Sequence, residues 1–191
     1  MGRLALVLVL ALGVESRIGN RESRVDRSPL DPPRGDARGT PPAAIHDSRF
    51  AIQDFAGLTW VDDQPDLKGK VVLVRWWTNN CQLCSTSAPA LTELSKKASV
   101  VAVYHPKPPR DVAPDDVRAF AKKIGMPGAL AIDRDWKVLD RWMAPGKREF
   151  TSLTFVLDRK GKVRHVHRGG VIEAEDAKEL SQQIDALLAE K

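Results

Sequence analysis

The hydrophobic positions of this chain fall into short blocks, and their spacing changes from block to block. Val71 to Val74 form a continuous apolar run, followed by Arg75, Trp76 and Trp77. A short run that is apolar at every position predicts a strand buried on both faces. From Cys81 to Lys97 the pattern changes to helical spacing, with Ala88, Leu91, Leu94 and Ala98 on one side. A helix is predicted there, kinked by Pro89. Residues 99–105, "SVVAVYH", predict a second buried strand. Residues 105–114, "HPKPPRDVAP", hold four prolines and predict a loop. Asp115 to Ile124 predicts a helix, with Val117, Phe120, Ala121 and Ile124 on one face and Gly125 as its stop. A short strand follows at 129–133 and a helical stretch at 136–143. Residues 153–167 read as two strands joined by an Asp-Arg-Lys-Gly turn, a β-hairpin. Ala174 to Leu188 closes the chain as an amphipathic helix through Ala177, Leu180, Ile184, Leu187 and Leu188.

The order is therefore β-α-β-α-β-α, then a hairpin, then α. Alternation of strand and helix makes the early strands parallel, and the hairpin makes the last pair antiparallel. The predicted fold class is α/β, a sandwich with a mixed central sheet flanked by helices. No internal repeat is present. This globular pattern occupies residues 49–191. Residues 15–48 differ, with five prolines, alternating Arg and Asp, and few large apolar residues. Such a stretch cannot offset chain entropy by burial and is expected to be a disordered tether. Residues 1–14, MGRLALVLVLALGV, place one Arg before an apolar run from Leu4 to Val14. That run suits a signal peptide or short N-terminal anchor and falls short of the roughly 20 residues a membrane span needs. Export is expected, into a compartment where disulfides persist.

Composition changes this picture little. Hydrophobic residues are 42% and charged residues 29% of 191 positions, with a formal net charge of +5. The basic residues do not cluster, so a solvated basic surface is expected rather than a nucleic-acid face. The cysteines change it more. There are two, Cys81 and Cys84, in "RWWTNNCQLCST". Two thiols three positions apart make no disulfide framework, and zinc would want two further ligands. A redox pair, a partial metal site or a chance spacing remains, and a structural disulfide closing so short a loop would constrain little of the unfolded chain.

The pair follows the buried strand and opens the helix. A helix N-terminus presents free amide N–H groups and favours an anion, so Cys81 is placed to act as a thiolate nucleophile. Cys84, one turn on, is near enough to attack a mixed disulfide on Cys81. Cys81 is thus the expected attacking thiol and Cys84 the resolving one. Trp76 and Trp77 point to opposite sides of their strand, one to the core and the other to the floor of the site, and Trp77 counts among the neighbours of the thiols. Trp60, Trp136 and Trp142 read as packing. Lys107 and Arg110, on the proline loop at the same edge, read either as charges that steer acidic partners or as solvated surface residues.

At these residues the sequence resembles the thioredoxin superfamily, and most closely its exported TlpA/ResA-type, redoxin-like branch. "GKVVLVRWWTNNCQLC" is similar to that branch's strand and CxxC, Pro89 occupies its helix proline, and "TFVLDRKGKVRHVHRGG" is similar to its hairpin. The resemblance covers about residues 50–190. It implies a thioredoxin-like three-layer sandwich and thiol–disulfide exchange with protein partners. No cofactor is expected beyond the Cys81–Cys84 disulfide, and a monomer is expected, with no nucleic acid and no membrane contact beyond an N-terminal anchor.

Three departures stand out. The superfamily's cis-proline position reads Ser152 after Thr151. A cis bond before a non-proline costs about 2.5–4 kcal/mol, so the Thr151–Ser152 bond is expected to be trans. The residue before the first cysteine is Asn80 rather than Trp. The family's buried acid is missing: Arg75 stands where thioredoxin has Asp, and Ser87 where the branch often has Glu. An Arg there would stabilise thiolate and make the pair more oxidising. Two alternative chemistries are also visible. Thr78 and Cys81 match the TxxC half of the peroxiredoxin motif, although position 74 is Val74 rather than Pro, so Cys81 would be the peroxidatic thiol of a thiol peroxidase. His105 follows the second strand to the same sheet edge, and His165 and His167 share one strand face; with the thiols they would suit Cu(I), as in Sco-type copper chaperones, whose thiols are spaced CxxxC. Otherwise each histidine reads as a surface or loop residue.

Overall fold

Six strands order themselves β1-β4-β3-β2-β5-β6 in a single mixed sheet. The computed structural model describes residues 55–143 and 151–190. The leader and tether expected at 1–14 and 15–48, and the start of the globular region at 49–54, lie outside the described residues. The elements are β1 (Thr59–Trp60), β2 (Val72–Trp77), α1 (Gln82–Leu94), β3 (Ser99–Tyr104), α2 (Pro114–Ile124), β4 (Ala129–Ile132), α3 (Lys137–Trp142), β5 (Thr154–Leu157), β6 (Val163–His167) and α4 (Ala174–Ala189). β2, β3 and β4 run parallel, and β5 and β6 are antiparallel additions.

β2 is central and buried at every position, including Arg75. It runs to Trp77, past the charged residue, because backbone pairing to β3 continues that far while pairing to β5 reaches Arg75. Alternation along β2 divides the core. Val71, Leu73 and Trp77 pack with α1, α2 and α4 on one face. Val72, Val74 and Trp76 pack with α3 on the other, where Trp76 meets Trp142 and Phe155 at ring centroid separations of 4.8 and 5.4 Å. Both Trp76 and Trp77 are therefore core residues. Trp77, expected beside the thiols, packs edge-on to Tyr104 in the same cluster as Cys84, with Cys81 against that cluster, and is fully buried there because β2 is covered on both faces.

The helix boundaries follow from local chemistry. α2 begins at Pro114, one residue before the expected start, since proline suits the first helical turn. Gly125 ends it at a φ of 69°. Buried Asp133 accepts the Leu139 N–H at 2.8 Å and the Val138 N–H at 3.3 Å, which starts α3 straight after β4. The hairpin turn is held by Asp158, whose carboxylate accepts the N–H groups of Lys160 and Lys162. β1 was not expected; at two residues it is too short to show alternation. α1 stops at Leu94, and residues 95–97 form a turn rather than the predicted last helical turn.

Leu91 is fully buried in the core beneath α1, whereas Leu83 on the same helix is 43% exposed. Leu91→Ala should lower the unfolding free energy by about 2–5 kcal/mol in urea titration. Leu83→Ala should change it by no more than about 0.5 kcal/mol. Equal effects of the two would contradict this arrangement of α1.

Candidate active site

β2 delivers the chain to the carboxyl edge of the sheet, and residues 78–80 turn it into α1. Asn80 makes the turn with a φ of 54°, a left-handed conformation that Asn tolerates far better than Trp or a β-branched residue. Asn79 is held from below by the Tyr104 hydroxyl, which donates to its side-chain oxygen at 2.8 Å. Cys81 is then the N-cap of α1, and its sulfur accepts the N–H of Cys84 at 3.3 Å. Its carbonyl takes the N–H groups of Cys84 and Ser85.

The inner stripe of α1 is Cys84, Ser87, Ala88, Leu91 and Leu94. Cys84 is its first member, so helical periodicity carries the second thiol into the core while the first stays at the rim. Cys81 is partly exposed and Cys84 buried, and both are free thiols. Burial pushes the Cys84 thiol up; the neighbouring Cys81 adds to this, and the Ser152 hydroxyl and the Thr78 backbone oppose it. Pro89 sits inside α1 on its exposed side. Gln82 and Leu83 face solvent between the two cysteines.

Ser152 completes the sulfur environment. Its hydroxyl oxygen lies 3.9 Å from the Cys81 sulfur and 3.4 Å from that of Cys84. The Thr151–Ser152 bond is trans, as expected, because the single cis bond among the described residues is elsewhere. Beneath lies Arg75, with no exposed surface. Its guanidinium donates to the Ser152 carbonyl at 3.3 Å, the Thr154 hydroxyl at 3.0 Å and the Gly170 carbonyl at 2.5 Å. Sheet register explains the Thr154 contact: Arg75 pairs with Thr154 across β2 and β5, and Thr154 with His167 across β5 and β6.

Ser87 ties the far wall to the helix. Its hydroxyl donates to the Leu83 carbonyl at 2.7 Å and accepts the Ile172 N–H at 2.9 Å. The stretch from Gly170 to Ile172 is thus fastened twice, once to Arg75 and once to Ser87. Neither fastening was foreseen, nor was the Tyr104–Asn79 bond or the exposure of Leu83. Of these only Leu83 left a signal, since position 83 falls off the apolar stripe.

The histidines are not the surface residues their positions suggest. His105 is wholly buried at the end of β3, edge-on to Trp136 at 5.4 Å. His165 and His167 turn inward to α4, with ring nitrogens 3.9 Å from Glu179 and 3.4 Å from Asp176. Among the described residues no group of three or more His, Cys, Asp or Glu side chains is gathered as a metal would require. Thr78, the first residue after β2, is buried. Lys107 and Arg110 stand exposed on the loop after β3, and Arg110 donates to the Lys107 and Pro108 carbonyls.

The sequence profile of Redoxin matches residues 56–184. The chain belongs to the Redoxin family. Among this Redoxin protein's relatives, thiol-disulfide oxidoreductase YkuV of Bacillus subtilis is 26% identical over 63% of this chain and 79% of its own length. Thiol-disulfide oxidoreductase ResA of Geobacillus thermodenitrificans is 27% identical over 62% of this chain and 66% of its own. In fold it is similar to a secreted Mycobacterium tuberculosis disulfide oxidoreductase homologous to E. coli DsbE. That structure matches with a TM-score of 0.52 at 18% identity, covering 74% of this chain and 99% of the other. The fold is the thioredoxin-like sandwich that the CxxC and hairpin motifs implied.

Two outcomes follow from the packing around the site. Ser87→Ala leaves the buried Ile172 N–H without an acceptor. It should cost about 1–3 kcal/mol and speed exchange of the Ile172 amide hydrogen, read by NMR. His165 and His167 both titrate below their ordinary range, chiefly because burial disfavours the imidazolium. Glu179 opposes this at His165; at His167 Asp176 opposes it, while Arg75 and His165 reinforce it. A depressed histidine pKa means that the unfolded chain binds the proton more tightly. The histidine contribution to stability is then fully present above about pH 6.5 and is lost as pH falls below it. Denaturant midpoints measured from pH 7 to 5.5 should fall, and His167→Gln should make that fall shallower.

Proposed function

We propose that this protein exchanges a Cys81–Cys84 dithiol/disulfide with protein partners through a mixed disulfide on Cys81. The chain is a thiol–disulfide oxidoreductase of the Redoxin family, and the names of YkuV and ResA support that reading. The observation that carries the residue roles is the asymmetry of the pair. Cys81 caps α1 at the rim with its sulfur on the Cys84 N–H, and Cys84 is sealed one turn inside.

In the oxidised form a partner thiolate attacks the Cys81 sulfur. The Cys81–Cys84 bond breaks, and its electron pair leaves on the Cys84 sulfur. A second partner thiolate then attacks the partner sulfur of the mixed disulfide and releases Cys81. The partner loses two electrons and becomes a disulfide; the pair gains them and becomes a dithiol. In reverse, Cys81 thiolate attacks a partner disulfide and Cys84 resolves the intermediate. The bond from the Cys84 N–H to the Cys81 sulfur supports the attacking thiolate in that direction. The Ser152 hydroxyl lies where it can donate to whichever sulfur carries charge.

The apolar run at 4–14, the proline-rich stretch at 15–48 and the likeness in fold to a secreted M. tuberculosis protein together support an exported domain on an N-terminal tether. Exposed Leu83 and the Lys107–Arg110 loop suit a polypeptide partner with apolar and acidic groups near its own thiols.

The roles are tested with insulin disulfide reduction driven by dithiothreitol. Cys81→Ser should lower the rate at least about 100-fold, to background. Cys84→Ser should still attack and accumulate a covalent protein–insulin adduct visible by mass spectrometry. An active Cys81→Ser variant, or an adduct carried on Cys84 of that variant, would reverse the assignment.

A further inference from the structure

One charge in the core has no opposite. Arg75 is fully buried, and its three donated hydrogen bonds go to two carbonyls and a hydroxyl, all neutral. Its Nε is buried with no hydrogen-bond partner. No carboxylate pairs with it among the described residues. Asp176, on the helix that packs on that face, is engaged by His167 and by the Glu173 N–H at the N-terminus of α4. A guanidinium does not give up its proton, so a buried one needs an anion close by. The side chains at hand that can become anionic are the two cysteines. Ser152 joins the two parts, since its carbonyl takes Arg75 while its hydroxyl reaches both sulfurs.

We infer that Arg75 is the built-in counter-ion of the Cys81–Cys84 pair and biases the couple toward taking electrons from partner dithiols. The inference rests on the exchange reading above and adds a direction to it. In the disulfide both sulfurs are neutral, and the Arg75 charge stands uncompensated in the core. When a partner thiolate opens the bond at Cys81, the electron pair arrives on Cys84 as a thiolate beside that charge. The reduced state therefore gains an interaction that the oxidised state lacks, which makes the disulfide the stronger oxidant. The same charge eases departure of Cys84 as the leaving group, at a position where burial otherwise makes a thiolate costly. Burial pulls the Arg75 guanidinium down and the two sulfurs push it up, Cys84 more than Cys81, which agrees with this geometry. Return to the disulfide requires a second thiol–disulfide partner whose disulfide is more oxidising still.

Arg75 acts through the sulfurs and touches no substrate, so it is a positioning residue, and the redox equilibrium tests it. Wild type, R75M and R75K are equilibrated with dithiothreitol buffers, and the dithiol fraction is read by alkylation and mass spectrometry, with thioredoxin run alongside. The wild-type constant for oxidising dithiothreitol should exceed that of thioredoxin at least tenfold. R75M should lose at least tenfold, about 30 mV for this two-electron couple. R75K, which keeps the charge, should stay within threefold of wild type. An R75M constant within threefold of wild type overturns the inference, as does R75K falling as far as R75M. If R75M does not fold, as judged by circular dichroism, the comparison with thioredoxin decides: a wild-type constant no greater than that of thioredoxin overturns it. A wild type that never exchanges with dithiothreitol removes the exchange reading itself. A wild type that cycles while R75M matches it removes this inference alone.

Discussion

The Cys81 sulfur accepts the N–H of Cys84 at 3.3 Å, and the site depends on that bond. It makes the first cysteine the cap of α1, so the sulfur occupies the place where a helix offers unpaired donors. It also fixes the second cysteine one turn on, at the first position of the buried stripe. Exposure of one thiol and burial of the other are therefore a single consequence of where the helix starts. The start in turn depends on β2. A strand buried on both faces cannot shift without moving Leu73 and Trp77 out of one core and Val74 and Trp76 out of the other.

Around this junction the polar groups form two layers. The upper layer is Ser152, whose hydroxyl lies within reach of both sulfurs. The lower layer is Arg75, held by carbonyls from two separate segments and by a hydroxyl from the adjacent strand. A carboxylate at either departure, position 75 or 87, would have placed negative charge beside the thiols. The chain has a cation at one and a hydroxyl at the other, and the Ser87 hydroxyl is used to fasten the Ile172 backbone. The electrostatic sign of the site is thus opposite to that of a buried acid.

Much of this arrangement was legible in the residues. The run from Val71 to Val74 showed the central strand, the apolar spacing from Ala88 to Leu94 showed the inner face of α1, and the turn at 158–161 showed the hairpin. What escaped did so for physical reasons. β1 has two residues and pairs only at an edge, so it carries no period. His105 looked like a loop residue because it precedes a proline run, yet that loop and Trp136 close over it. The full burial of Trp77 beside Cys84 was not visible in its position just before the thiols, because it depends on helices that cover β2 from far along the chain. The contacts of Ser87 with Ile172 and of Arg75 with Gly170 span 85 and 95 positions, and no local pattern reports pairings of that range.

The most direct measurement is the relative alkylation rate of the two thiols in the native, fully reduced protein, followed by peptide mass spectrometry. With Cys81 at the rim as a helix cap and Cys84 sealed beneath it, iodoacetamide should modify Cys81 at least about 100-fold faster, since reaction needs both access and thiolate character. Comparable rates at the two sulfurs, or modification of Cys84 first, would contradict the account.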